Sequence, residues 1–130
     1  METRIDISTS HFPIIILTIE GELNEYHIDR FAKDMDAMLS ASQEKFIVIS
    51  QQLGDTSMSP KVRVKLGQTL NYFSGKYVKR ELGVFVVVNS SLQRIMMTCL
   101  TLVAKNKNLH VVSSVEEAME KSASLLNKAA

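Results

Sequence analysis

The 130-residue chain has one cysteine, two prolines, no tryptophan and a net charge of only +1. Each shortage narrows what it can be. Cys99 has no second cysteine to pair with, which excludes an internal disulfide framework and a zinc site built on paired cysteines, and fits a reducing compartment. With 15 Lys and Arg against 14 Asp and Glu, no excess of charge marks the chain for nucleic acid. The longest apolar runs, Ile14 to Leu17 and Val84 to Val88, fall far short of the roughly 20 residues a bilayer requires. Met1-Glu2-Thr3-Arg4-Ile5-Asp6 has neither the basic region nor the apolar run of a secretory signal. The expectation is a cytoplasmic protein with no membrane contact.

Hydrophobic residues make up 45% of the chain, enough for one core, and no repeat or linker divides residues 1–130 into more than one domain. Arg4-Ile5-Asp6-Ile7-Ser8 alternates apolar and polar residues, the period of a strand with one wet face, and suits a sheet edge. Pro13 to Ile19, Phe46 to Ile49, Val84 to Val88 and Leu109 to Val112 are β-branched and nearly continuously apolar, as strands buried on both faces are. Between and after them run four helical stripes. Ile28, Phe31, Ala32, Met35 and Leu39 mark the first, and Val62, Leu66, Thr69, Leu70 and Phe73 the second. Leu92, Ile95, Met96, Cys99, Leu100 and Val103 mark the third, and Val115, Ala118, Met119, Ser122 and Leu126 the fourth. Asn24 and Ser59, the latter followed by Pro60, are placed to cap the first two, while Ser90 with Gln93 and Ser114 with Glu117 form capping boxes for the others. The order β-β-α-β-α-β-α-β-α predicts an α/β fold: a mostly parallel five-stranded sheet, one antiparallel edge strand and four helices.

Chemistry-bearing motifs are sparse. Gly67 and Gly75-Lys76-Tyr77 lack the spacing of a phosphate-binding loop, and no glycine fingerprint follows a strand. His11, His27 and His110 are scattered, and no nucleophile stands at a recognisable spacing from a base and an orienting carboxylate. No catalytic residue, cofactor or metal is expected. Lys76, Lys79 and Arg80 complement the dipole at the end of the second predicted helix.

One segment is more informative. Gly54-Asp55-Thr56-Ser57-Met58-Ser59-Pro60 follows a buried strand and leads into a helix, so it is expected as a loop at the carboxyl edge of the sheet, where open α/β folds place their sites. Ser59 reads either as a cap, contributing about 1 kcal/mol, or as a phosphoacceptor whose charge the helix N-terminus would favour. Val64 points away from the Val62-Leu66-Phe73 stripe, among Lys61, Lys65 and Gln68. With an exposed Met58 it would form an apolar spot rimmed by polar groups. Asp55, Thr56, Ser57, Met58, Ser59, Lys61, Val64, Lys65 and Gln68 are thus the candidate surface for a regulatory protein partner, kinase-like or otherwise signalling. The alternative is a lipid or other apolar ligand beneath the third predicted helix, lined by Met96, Met97 and Leu102, against which stands the ordinary packed core. Self-association as a homodimer, through that helix or an exposed sheet edge, is compatible with either reading.

The stretch Ile16-Leu17-Thr18-Ile19-Glu20-Gly21-Glu22-Leu23-Asn24 resembles the strand, glycine and Gly-x-Leu-Asp turn that open STAS domains, the fold of bacterial anti-sigma factor antagonists. The resemblance extends from about Arg4 to Leu126 and is closest to the SpoIIAA-like (STAS/SEC14-like) subgroup. Ser114-Val115-Glu116-Glu117-Ala118 matches that subgroup's Ser-x-Glu-Glu-Ala helix start, and its hydrophobic third helix has a counterpart here. The resemblance implies a signalling module acting through protein–protein contacts, with Ser59 at the family's phosphorylated serine. Met58 and Pro60-Lys61 stand where family antagonists carry Asp before that serine and a small residue and Gly after it.

Overall fold

The structure is a computed structural model and describes residues 3–88 and 108–129, with the backbone alone for residues 54–56. Among the described residues a five-stranded sheet runs in the order β1 (Arg4–His11), β2 (Ile14–Leu23), β3 (Phe46–Met58), β4 (Glu81–Val87) and β5 (Leu109–Val112). The β1–β2 pair is antiparallel and the other three are parallel. Helices α1 (Glu25–Ser40), α2 (Pro60–Lys76) and α3 (Val115–Ala129) complete the described elements. The fold is therefore α/β with a mostly parallel sheet. Three helices are described; the one expected through Leu92 to Val103 falls at 89–107, outside the described residues, together with Met96, Met97, Cys99 and Leu102.

The alternation of side chains along each strand divides the core between two faces. On one face Ile15, Leu17, Phe46, Val48 and Val84 meet Phe31, Met35 and Leu39 of α1 and Phe73 of α2. The same layer continues through Ile19, Leu23 and Val86 against Ile28, Val62 and Leu66. On the other face Ile47, Ile49, Phe85, Val87 and Val112 pack with Ala118 of α3. Gly83 permits this second contact, since a β-carbon there would lie 3.1 Å from Leu125 Cδ1.

The caps form as their residue types dictate. Asn24 Oδ1 accepts from the His27 N–H at 3.2 Å while His27 Nδ1 accepts from the Asn24 N–H at 3.0 Å, a reciprocal box in which histidine occupies the usual Glu or Gln position. The Glu117 N–H donates to Ser114 Oγ at 3.0 Å, and Glu117 Oε1 reaches back to the Ser113 N–H at 3.1 Å.

Two expectations are corrected here. Strand β3 does not end near Ile49: it continues to Met58, so the expected loop over Gly54 to Met58 is strand. The cause is its neighbour. Strand β2 extends to Leu23, and after a register shift pairing resumes with Glu22 opposite Ser57 and Leu23 opposite Met58. A ready ladder thus recruits a hydroxyl-rich segment of little intrinsic strand preference. Gly21 makes the shift feasible, with φ +89° and a missing β-carbon that would lie 2.7 Å from Thr3 Oγ1. The second correction concerns Arg80. Its Nη1 donates to the Leu39 carbonyl at 2.8 Å and its Nε to the Glu44 carbonyl at 2.9 Å, so it serves the C-terminus of α1 rather than that of α2.

Candidate functional site

Parallel pairing of β2 and β3 brings the ends of both strands, and hence the N-termini of α1 and α2, to the same edge of the sheet. The two helix starts lie side by side there. At the second, Ser59 has extended backbone, is solvent-exposed, and accepts from the Val62 N–H at 3.2 Å through its hydroxyl. Proline at the first helical position has no N–H to leave unsatisfied, so the chain turns sharply from β3 into α2.

An ion cluster fixes the two helix starts to each other. Lys61 Nζ lies 3.0 Å from Glu25 Oε1, and Lys65 Nζ lies 3.5 Å from Glu25 Oε2 and 2.9 Å from Asp29 Oδ1. The hydrogen bond from Lys61 holds the Glu25 carboxyl below its ordinary pKa, and the bond to Asp29 holds the Lys65 ammonium above its own. Lys61 and Lys65 therefore do not present a free positive patch: two carboxylates of α1 balance them.

What remains toward solvent in the middle of α2 is a ridge of uncharged side chains, with the Lys76 ammonium, paired with Asp36, donating to the Tyr72 hydroxyl at its far end. Val64 is 45% exposed and Tyr72 50% exposed, with the exposed Gln68 between them at the four-residue spacing that places all three on one line. Val64 thus points outward, as its position opposite the Val62-Leu66-Phe73 stripe predicts. Met58 differs from expectation, because it is half-buried against Ile19, Leu23, Ile28, Val62 and Leu66 and supports the strand end from below. Ser57 is exposed beside it, while the side chains of Asp55 and Thr56 lie outside the described residues. Tyr72 was not singled out from the sequence. Its i+8 relation to Val64 was the available signal, obscured by its neighbour Phe73, which belongs to the buried stripe.

The remaining candidates stay apart. His11 ends β1, His27 caps α1, and His110 stacks on Phe85 with ring centroids 5.2 Å apart. Among the described residues no group of three His, Cys, Asp or Glu side chains could hold a metal ion, and no helix is long and apolar enough to cross a membrane. Between the sheet and helices α1 and α2 lies an apolar cavity of about 30 Å³, lined by residues such as Leu17, Ile19, Phe31 and Leu66.

No protein-family model matches the sequence, and no curated protein matches it significantly.

Proposed function

We propose that the protein is a non-enzymatic regulatory module of STAS type that docks a protein partner on the outward ridge of α2 and is switched by phosphorylation of Ser59. The observation that carries this reading is the pairing of an exposed apolar pair, Val64 and Tyr72, with an exposed hydroxyl at the start of the same helix. Apolar and aromatic side chains on a solvent-facing helix contribute docking energy, and the balanced lysines beside them provide register rather than bulk attraction. A phosphate on Ser59 would add about two negative charges where the helix dipole favours them and where an apposed partner surface would have to accommodate them. The sequence resemblance supports the same assignment; the described sheet contributes only the general α/β class, mostly parallel with one antiparallel pair. The apolar-ligand alternative rests on Met96, Met97 and Leu102, which lie outside the described residues.

The test is affinity capture from the native host, followed by titration of the purified partner. Val64→Glu and Ser59→Asp are expected to weaken binding about tenfold or more, and Ser59→Asn to leave it unchanged. Undiminished binding by Val64→Glu would remove α2 from the interface and overturn the assignment.

A further inference from the structure

Among the described residues, strand β1 forms one border of the sheet and pairs with β2 on one side only. Such an edge presents unpaired backbone groups, and proteins ordinarily guard it with proline, a bulge or charge. Residues 3–8 contain no proline, and the irregularity in β1 begins only after Ser8. The guard that is present consists of Arg4 and Asp6, two residues apart and therefore on the same face, where their side chains lie 3.0 Å apart. On the opposite face Ile5 and Ile7 are only half-buried. Helix α1 stops short of covering them and leaves a groove of about 800 Å³ bordered by Ile5, Ile7, Tyr26, Arg30, Phe31 and Met38.

We infer that β1 pairs antiparallel with β1 of a second copy of this chain, on a two-fold axis through Ile5, joining two sheets into one of ten strands. The charges select both the occupant and the register. Directly opposed residues in an antiparallel pair share a face, so a two-fold pairing of β1 with itself must centre on a residue. Centring on Arg4 opposes arginine to arginine, and centring on Asp6 opposes aspartate to aspartate. Centring on Ile7 runs the pair into the irregular stretch after Ser8. Only the Ile5 register sets Arg4 opposite Asp6 of the second copy, twice by symmetry, with Ile5 against its own equivalent and Thr3 against Ile7. Charge thus disfavours the Arg4 and Asp6 registers and the irregularity disfavours that on Ile7, while the Ile5 register gains two opposite-charge pairs between described residues. On the helix side the two grooves then face each other across the axis, and the half-covered isoleucines of both copies form one shared apolar strip.

Sedimentation velocity over a range of concentrations tests the pairing. Wild type is expected to show a reversible monomer–dimer equilibrium. Arg4→Asp and Asp6→Arg each oppose like charges at both symmetric positions and are expected to weaken dimerisation about tenfold or more. The double exchange Arg4→Asp with Asp6→Arg restores opposite signs and is expected to recover dimerisation to within a few-fold of wild type. Asp6→Arg keeps the contact between Arg4 and Glu20, and unchanged far-ultraviolet circular dichroism checks that each variant remains folded. A wild type that is monomeric throughout, or a dimer indifferent to both single substitutions, would overturn the inference, as would failure of the double exchange to recover.

Discussion

Ser59 allows the capping role and the switching role of one side chain to be separated by experiment. Its hydroxyl is the acceptor for the Val62 N–H, at 3.2 Å and in a half-buried setting, and Val62 itself is buried. Ser59→Ala removes the acceptor without altering the backbone, leaving that N–H without its side-chain partner at a part-buried position. Loss of an N-cap costs about 1 kcal/mol, which for a domain of this size lowers the melting temperature by about 4 °C. Asparagine and aspartate cap as well as serine, so Ser59→Asn and Ser59→Asp are expected to melt within a degree or two of wild type. Aspartate also places a negative charge at the positive end of the helix. The two variants therefore share the cap and differ in charge, and partner affinity is expected to fall with aspartate alone. Differential scanning calorimetry and titration calorimetry read the two properties on the same samples. If Ser59→Ala melts with wild type, the observed bond contributes nothing. If asparagine and aspartate bind the partner equally, charge at this position is not the switch.

Three further outcomes follow from the geometry. Gly21→Ala is expected to destabilise by about 1–3 kcal/mol, since it imposes a side chain at φ +89° against Thr3; an unchanged denaturation midpoint would show that the register shift relaxes freely. Asp36 accepts from Lys76 Nζ at 2.8 Å and from the Tyr77 hydroxyl at 2.6 Å, and these bonds, that from Lys76 foremost, hold its carboxyl below the ordinary value of 3.8. Because the folded pKa is the lower one, the stabilisation is complete above about pH 4 and is lost as pH falls through the lowered value. The stability difference between wild type and Asp36→Asn, measured by urea unfolding, is therefore expected to shrink on acidification, and a difference independent of pH would refute the assignment. Arg80→Met removes the donors to the Leu39 and Glu44 carbonyls and is expected to accelerate amide hydrogen exchange first in the last turn of α1; acceleration confined to α2 would contradict the observed bonding.

Much of this architecture was legible in the chain because its signals are local. Continuous β-branched runs read as strands covered on both sides, the 3–4 residue spacing fixed which face of each described helix is buried, and Asn24, Ser59 and Ser114 cap through contacts only three residues away. Val64 was read as outward for the same reason, its angle on the helix being set by backbone geometry alone. The length of β3, the partial burial of Met58, the balancing of Lys61 and Lys65 by Glu25 and Asp29, and the service of Arg80 to a different helix were decided by the tertiary structure. Each depends on a neighbour distant in sequence. A strand ladder, an ion pair and a carbonyl acceptor become available only when the sheet order sets β2 beside β3 and α1 beside α2, and no periodicity within a single segment encodes that placement.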